Sequence, residues 1–236
     1  MILRFMNYKS RKVILTLLTT LILFLGGSLL YVHAQSKMNN QKIINALVRN
    51  YGERAGKRGQ AWLNIMAQYQ EVSEAERLFK VNNFFNMLFF IDDIKLWGEK
   101  NYWATPVEFI GVNGGDCEDF AIAKYFTLLE LGVPDEKMRI TMVKAVTLNQ
   151  YHMVLAYYKT PGSIPIILDN IDGIIKPATQ RKDLIPIYSF NGKQLWLNKE
   201  KGQGVVAGKS ERLERWTNLN QRMGASNMKQ PKLRME

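Results

Sequence analysis

The sequence predicts an α+β fold in one domain, with helices packed on an antiparallel sheet. Up to about residue 131, apolar residues recur at helical spacing. Beyond about residue 140 the period changes to two, in runs rich in Val, Ile, Met and Tyr. Helices followed by strands, rather than alternating with them, is the order of segregated layers. The chain has 236 residues, 47% apolar and 22% charged, which suffices for such a domain. One cysteine and two histidines exclude an internal disulfide framework, a Cys-rich zinc site and a three-His metal centre.

Residues 1–12 carry Arg4, Lys9, Arg11 and Lys12 and no acid; an apolar run from Val13 to Val32 follows, then Val32-His33-Ala34 before Gln35. Charged start, apolar middle and small-residue end predict a secretory signal over 1–34, or an uncleaved anchor, since the run is long enough to span a bilayer. Either way residues 35–236 are expected to be exported. Removing 1–34 lowers the net charge from +11 to +7 and leaves one cysteine, Cys117, and one histidine, His152. A lone exported cysteine cannot bridge internally, so it is either reactive or buried.

Ile43, Ile44, Leu47, Val48 and Tyr51 predict a first helix over 37–51, and the Gly-rich polar stretch 52–59 a loop. Trp62, Ile65, Met66 and Tyr69 mark a second helix. Ser73 with Glu76 reads as a capping box opening a third, whose inner stripe is Leu78, Val81, Phe85 and Leu88. A loop is expected from about Lys100 to Gly115. A fourth helix runs from Cys117 to about Leu131, closed by Gly132 and Pro134. Being apolar on most sides, it belongs at the centre. Ile140–Val146, Met153–Tyr158 and Ile164–Leu168 read as strands, and Pro186–Phe190 with Gln194–Leu197 as a hairpin about Asn191-Gly192. A short amphipathic helix around Arg212–Met223 precedes a tail expected to be loose.

Cys117 opens the central helix behind Asn113-Gly114-Gly115-Asp116. Glycines there allow close backbone approach, Asp116 suits an N-cap, and the helix dipole favours a thiolate. His152 opens a strand, and Lys159-Thr160-Pro161-Gly162 turns the chain into the next one, which ends at Asp169. Folding that hairpin about Thr160/Pro161 pairs 158 with 163, 154 with 167, and His152 with Asp169. Opposed side chains lie ~5 Å apart on one face, so Asp169 would orient the imidazole and leave its other nitrogen for a nucleophile. Pro165 makes the register vulnerable, because it donates no ladder bond. Thiol, imidazole and carboxylate together match the nucleophile–base–orienter pattern.

Thr105-Pro106-Val107-Glu108-Phe109, then Gly114-Gly115-Asp116-Cys117-Glu118-Asp119-Phe120-Ala121-Ile122-Ala123-Lys124-Tyr125, then His152 and Asp169, resemble the bacterial transglutaminase-like cysteine proteinases. Within these the chain is similar to the LapG type of periplasmic protease. The resemblance implies a papain-like/transglutaminase-like core, with Cys117 as nucleophile, His152 as general base and acid, and Asp169 as orienter. It implies a calcium-dependent endopeptidase that clips a large surface adhesin near its N-terminus at an Ala-Ala type site, releasing it and dispersing biofilm. The expected regulator is an inner-membrane cyclic-di-GMP receptor of the LapD type, and the expected location is the periplasm.

Asp116, Glu118 and Asp119 crowd the thiol and should raise its pKa; a bound divalent cation would reverse that sign. On spacing alone these acids read first as helix caps. With the resemblance they read as an all-oxygen Ca2+ site. The Cys117 N–H is one oxyanion donor by position, and Trp103, just upstream, offers an indole N–H as a second. Two rival readings share these residues: a transglutaminase, in which an amine takes the acyl group, and an inactive periplasmic binding protein. Gly208-Lys209-Ser210 ends like a phosphate loop, but Gln203 stands where the earlier glycine is required. The tail from Lys209 has seven basic and three acidic residues without a nucleic-acid motif, so no nucleic-acid partner is expected.

Overall fold

The computed structural model describes residues 39–198, 204–224 and 226–235. The chain divides into two units, Met1–Lys42 and Ile43–Glu236. The expected leader over 1–34 lies outside the described residues. Among the described residues no helix is long and apolar enough to cross a membrane.

Helix α1 covers 39–51, and α2 (Glu53–Gln68) follows after Gly52 alone, whose φ of 94° makes the break. The loop expected over 52–59 is therefore the first part of a helix. Gly56 and Gly59 are contact residues there: a Cβ on either would overlap Val48 or Leu47 of α1. In α3 (Glu74–Phe85) the Ser73 hydroxyl accepts the Glu76 N–H at 3.3 Å, and Leu78, Val81 and Phe85 are buried as the spacing predicts.

The stretch 100–115, expected as loop, holds a buried helix, α5 (Pro106–Val112). Thr105 and Glu108 close a reciprocal capping box over Pro106 at the first helical position. A two-residue parallel pair joins β1 (Phe89–Phe90) to β2 (Gly114–Gly115), and the short α4 (Asp93–Leu96) follows β1. The central helix α6 (Cys117–Glu130) is buried on most sides, including Phe120, Ile122, Tyr125 and Leu128.

The sheet is antiparallel, in the order β6-β5-β4-β3-β7-β8-β9. Its strands are β3 (Met138–Ala145), β4 (Gln150–Tyr157), β5 (Ile166–Leu168), β6 (Lys176–Pro177), β7 (Leu184–Phe190), β8 (Gln194–Leu197) and β9 (Val205–Lys209). Along β4, Met153, Leu155 and Tyr157 join the main core with the helices, while Val154, Ala156 and Tyr158 form a second cluster with Val143 and Ile167. This is the two-residue alternation seen in the sequence.

Two registers differ from expectation. Leu155 faces Leu168 and Ala156 faces Ile167, so the β4–β5 ladder is shifted by two residues from the predicted pairing. A shift of two keeps every side chain on its face, whereas a shift of one would have reversed them all. In the β7–β8 hairpin Phe190 pairs with Leu195 and the Asn191 N–H donates to the Gln194 carbonyl at 3.0 Å, so the turn has two residues but sits at Gly192-Lys193, one position later than expected. Asn191 makes it by accepting the Lys193 and Gln194 N–H groups on its side-chain oxygen. Gly208-Lys209 forms the end of β9, an edge strand, with Gly208 at φ 144°.

The C-terminal segment is docked rather than loose. From α7 (Glu214–Gln221), Trp216 stacks on Phe126 at 5.4 Å. Beyond α7, the Lys229 N–H donates to Glu108 Oε1 at 2.9 Å, and the Lys232 N–H to the Leu96 carbonyl at 2.7 Å. Buried Glu108 also takes Arg222 Nη1 at 3.0 Å. One cation of the tail, Arg222, and the Lys229 backbone amide thus satisfy a core carboxylate, which the tail's composition alone did not reveal.

Candidate active site

Short elements place the thiol. Asn113 ends α5 at φ 66° and turns the chain into β2. The Phe89 N–H donates to the Asn113 carbonyl at 3.1 Å and the Ile91 N–H to Gly115 at 2.9 Å, which clamps β2 against β1. A Cβ on Gly115 would overlap the Asp119 carboxylate, so only glycine fits there. Cys117 then begins α6, half-buried and unbridged. Its Sγ donates to Glu118 Oε2 at 3.2 Å and lies at the Met153 N–H, beside His152. The β4–β5 ladder reaches only to Leu155, which leaves the backbone at 153 free on that side.

His152 is buried, and its Nε2 meets Asp169 Oδ1 at 2.7 Å. With the shifted register the two are diagonal rather than directly opposed, and the imidazole spans the difference. An ionised carboxylate only accepts, so Nε2 carries the hydrogen and Nδ1 is left with a lone pair. Asp169 is further held by the Ile171 N–H at 3.0 Å and by Arg181 Nη2 at 2.7 Å, and Asn86 Nδ2 binds its main-chain carbonyl at 2.8 Å. Burial alone would raise the Asp169 carboxyl, but the His152 and Arg181 contacts keep it well below the usual carboxylate range.

Cys117 and His152 line one cavity of about 260 Å³, together with Trp103, Asp116, Glu118 and Tyr151. The thiol's hydrogen bond goes to Glu118, not to the imidazole. Trp103 stacks on Phe190 at 5.7 Å, and its indole N–H makes no hydrogen bond among the described residues. As the first residue of α6, Cys117 has an N–H with no intrahelical acceptor. A larger cavity of about 460 Å³, on the outer face of the sheet, reaches Arg181 but neither Cys117 nor His152.

The acids around the thiol form a tight cluster. Ligand oxygens of Asp93, Asp116 and Asp119 lie within 4.8 Å of one another, as do ligand atoms of Asp116, Cys117 and Glu118. Asp119 is anchored by the Ala104 N–H at 2.8 Å and the Asp116 N–H at 3.3 Å, and Asp93 by the Tyr102 N–H at 2.5 Å. Asp93 Oδ1 and Asp116 Oδ1 are buried with no hydrogen-bond partner. Burial, then the Glu118 charge, lifts Asp93 to about 7; burial, then Asp119 and Glu118, pushes Asp116 up to about 11. Burial likewise raises Asp119 and the thiol, the latter helped by Glu118 and Asp116. Carboxylates so placed require protons or a cation, and an all-oxygen donor set with orphaned oxygens fits a hard divalent ion.

The family model for bacterial transglutaminase-like cysteine proteinases matches residues 56–203. The chain belongs to this family. No curated protein matches it significantly. Among solved structures, Legionella pneumophila LapG matches in three forms. The EGTA-treated form has 44% identity and a TM-score of 0.70 over 78% of this chain and 97% of that one. A further form gives 44% and 0.69 over the same shares. The calcium-bound form gives 44% and 0.67 over 76% and 97%. This cysteine proteinase therefore has the transglutaminase-like, papain-like fold of LapG, with helices on an antiparallel sheet.

Two residues of the site were not found by sequence reasoning. Asp93 could have been suspected only as one of an Asp92-Asp93 pair, with nothing in the spacing to bring it to Asp116. Arg181 lies 12 residues past Asp169 in a segment with no motif.

Proposed function

We propose that this chain is a calcium-dependent cysteine endopeptidase of the periplasm. It cleaves a large surface adhesin near its N-terminus at an Ala-Ala type site, and so releases the adhesin and disperses biofilm. Its control lies with an inner-membrane LapD-type cyclic-di-GMP receptor. The observation that carries the reading is the opening of the Cys117 thiol and the Asp169-bonded His152 on one cavity, beside four clustered carboxylates. The family match supports proteolysis, the calcium-bound and EGTA-treated forms of Legionella LapG support the metal, and the N-terminal charge pattern supports export.

In this mechanism Cys117 Sγ attacks the scissile carbonyl while its proton passes to His152 Nδ1, and Asp169 stabilises the imidazolium through Nε2. The oxyanion is met by the Cys117 N–H and the Trp103 indole N–H. His152 then gives its proton to the leaving amine; water, deprotonated by the same imidazole, hydrolyses the thioester and restores the thiol. Asp93, Asp116, Glu118 and Asp119 would hold calcium, whose positive charge would offset the acids and favour the thiolate.

The test is incubation with N-terminal adhesin fragments that carry the Ala-Ala site, read by mass spectrometry. Cleavage by the wild-type chain in calcium, and none with EGTA or with Cys117→Ala, is expected. Cross-linked products, or cleavage by Cys117→Ala, would overturn the reading.

A further inference from the structure

Asp169 is an enclosed charge, its side chain having 0% exposure. A carboxyl group in such surroundings favours its neutral form unless a cation holds it. His152 is not a permanent cation, since its task in the proposed mechanism is to gain and lose a proton. Lys124 faces Asp169 from α6 but makes no hydrogen bond to it among the described residues, and burial lowers its ammonium to about 7. Arg181 differs on each count. It is 5% exposed, always charged, and places Nη2 on Asp169 Oδ2 at 2.7 Å, the oxygen that His152 does not use.

Arg181 is itself fixed from behind. Asp183 takes Nε at 3.0 Å and Nη2 at 2.8 Å, and Asp172 stands at 4.0 Å. We infer that Arg181 is a positioning residue of the proposed catalytic site, gripping Asp169 Oδ2 so that Oδ1 remains a charged acceptor aimed at His152 Nε2. Without the guanidinium a protonated Asp169 could present its O–H to Nε2. The ring would then carry its hydrogen on Nδ1, the atom meant to receive the thiol proton. Arg181 touches no reacting atom and acts through Asp169 and His152.

The inference rests on the His152–Asp169 reading, and the experiment separates the two. The probe is iodoacetamide and the readout its rate of reaction with Cys117 in the full chain, at neutral pH with calcium. It compares wild type, His152→Ala, Arg181→Gln and Arg181→Lys, each first shown to melt cooperatively. Expected are slow alkylation of His152→Ala, about ten-fold slowing in Arg181→Gln, the scale of one lost charged hydrogen bond, and partial recovery in Arg181→Lys, which keeps the charge but loses the fork. If Arg181→Gln does not fold, Arg181→Lys decides by falling between the wild-type and His152→Ala rates. Wild-type rates in folded Arg181 variants with a slow His152→Ala overturn the inference and leave the proposed function standing. A fast His152→Ala overturns both.

Discussion

Glu118 accepts the thiol hydrogen bond and also belongs to the acid cluster. In the proposed mechanism a cation bound at the cluster would offset this carboxylate's charge. Glu118→Gln is therefore expected to raise the calcium concentration needed for half-maximal cleavage by at least about ten-fold, measured by calcium titration, as removal of a first ligand or its partner does. Asp93→Asn should act in the same direction through the unpaired oxygen it supplies. The cluster also sets a pH dependence. Without calcium the folded state keeps Asp93 protonated up to about 7 and Asp116 up to about 11. The unfolded chain releases those protons near pH ~4, so the folded state binds more protons above that pH and loses stability as pH rises. In EGTA the melting temperature should fall between about pH 5 and pH 8, and saturating calcium should flatten or reverse that slope. Asp169 has the opposite sign: its carboxyl is held low, so its contribution is complete above the unfolded carboxylate pKa and is lost only as pH falls through the lower folded value.

Short elements hold the site in place. The α5 capping box and the β1–β2 pair deliver Cys117 to the start of α6. Gly115→Ala is expected to displace the Asp119 carboxylate, lowering calcium affinity measured by isothermal titration more than it lowers the urea midpoint. Thr105→Ala removes one half of the α5 box and should destabilise the chain by ~1 kcal/mol in urea unfolding. Thr105-Pro106-Val107-Glu108 carries a complete helix-start signature, so α5 was legible; the surrounding Gly and Asn residues weighted the stretch towards loop. The reverse error at 52–59 has a physical reason too. Glycine breaks a helix by propensity, yet here Gly56 and Gly59 let α1 and α2 approach, and that packing outweighs ~1 kcal/mol per glycine.

Across the whole body, Glu108 ties the ends together. It joins α5 to Tyr102, to Arg222 and to the Lys229 N–H, and Tyr51 of α1 donates to the Lys229 carbonyl. Truncation after Gln221 would leave that buried carboxylate without Arg222 and the Lys229 amide, an expected loss of about 3 kcal/mol or more in unfolding free energy. Glu108→Ala in the full chain should lose stability as well, through the Arg222 guanidinium and the Lys229 amide it strands.

The layer order, the central helix and the alternation along β4 were legible along the chain, because periodicity and helix caps are local properties; Cys117 and His152, singled out by residue type, open on one cavity. What the chain could not disclose depends on distance in space. Tertiary structure alone brought Asp93 to Asp116 and Asp119, set Arg181 on Asp169, shifted the β4–β5 register by two and docked the basic tail on Glu108. These are buried carboxylates gathered from separate elements, buried charges meeting their partners, or a ladder taking its register, and such contacts are chosen by the assembled core rather than by neighbours in sequence.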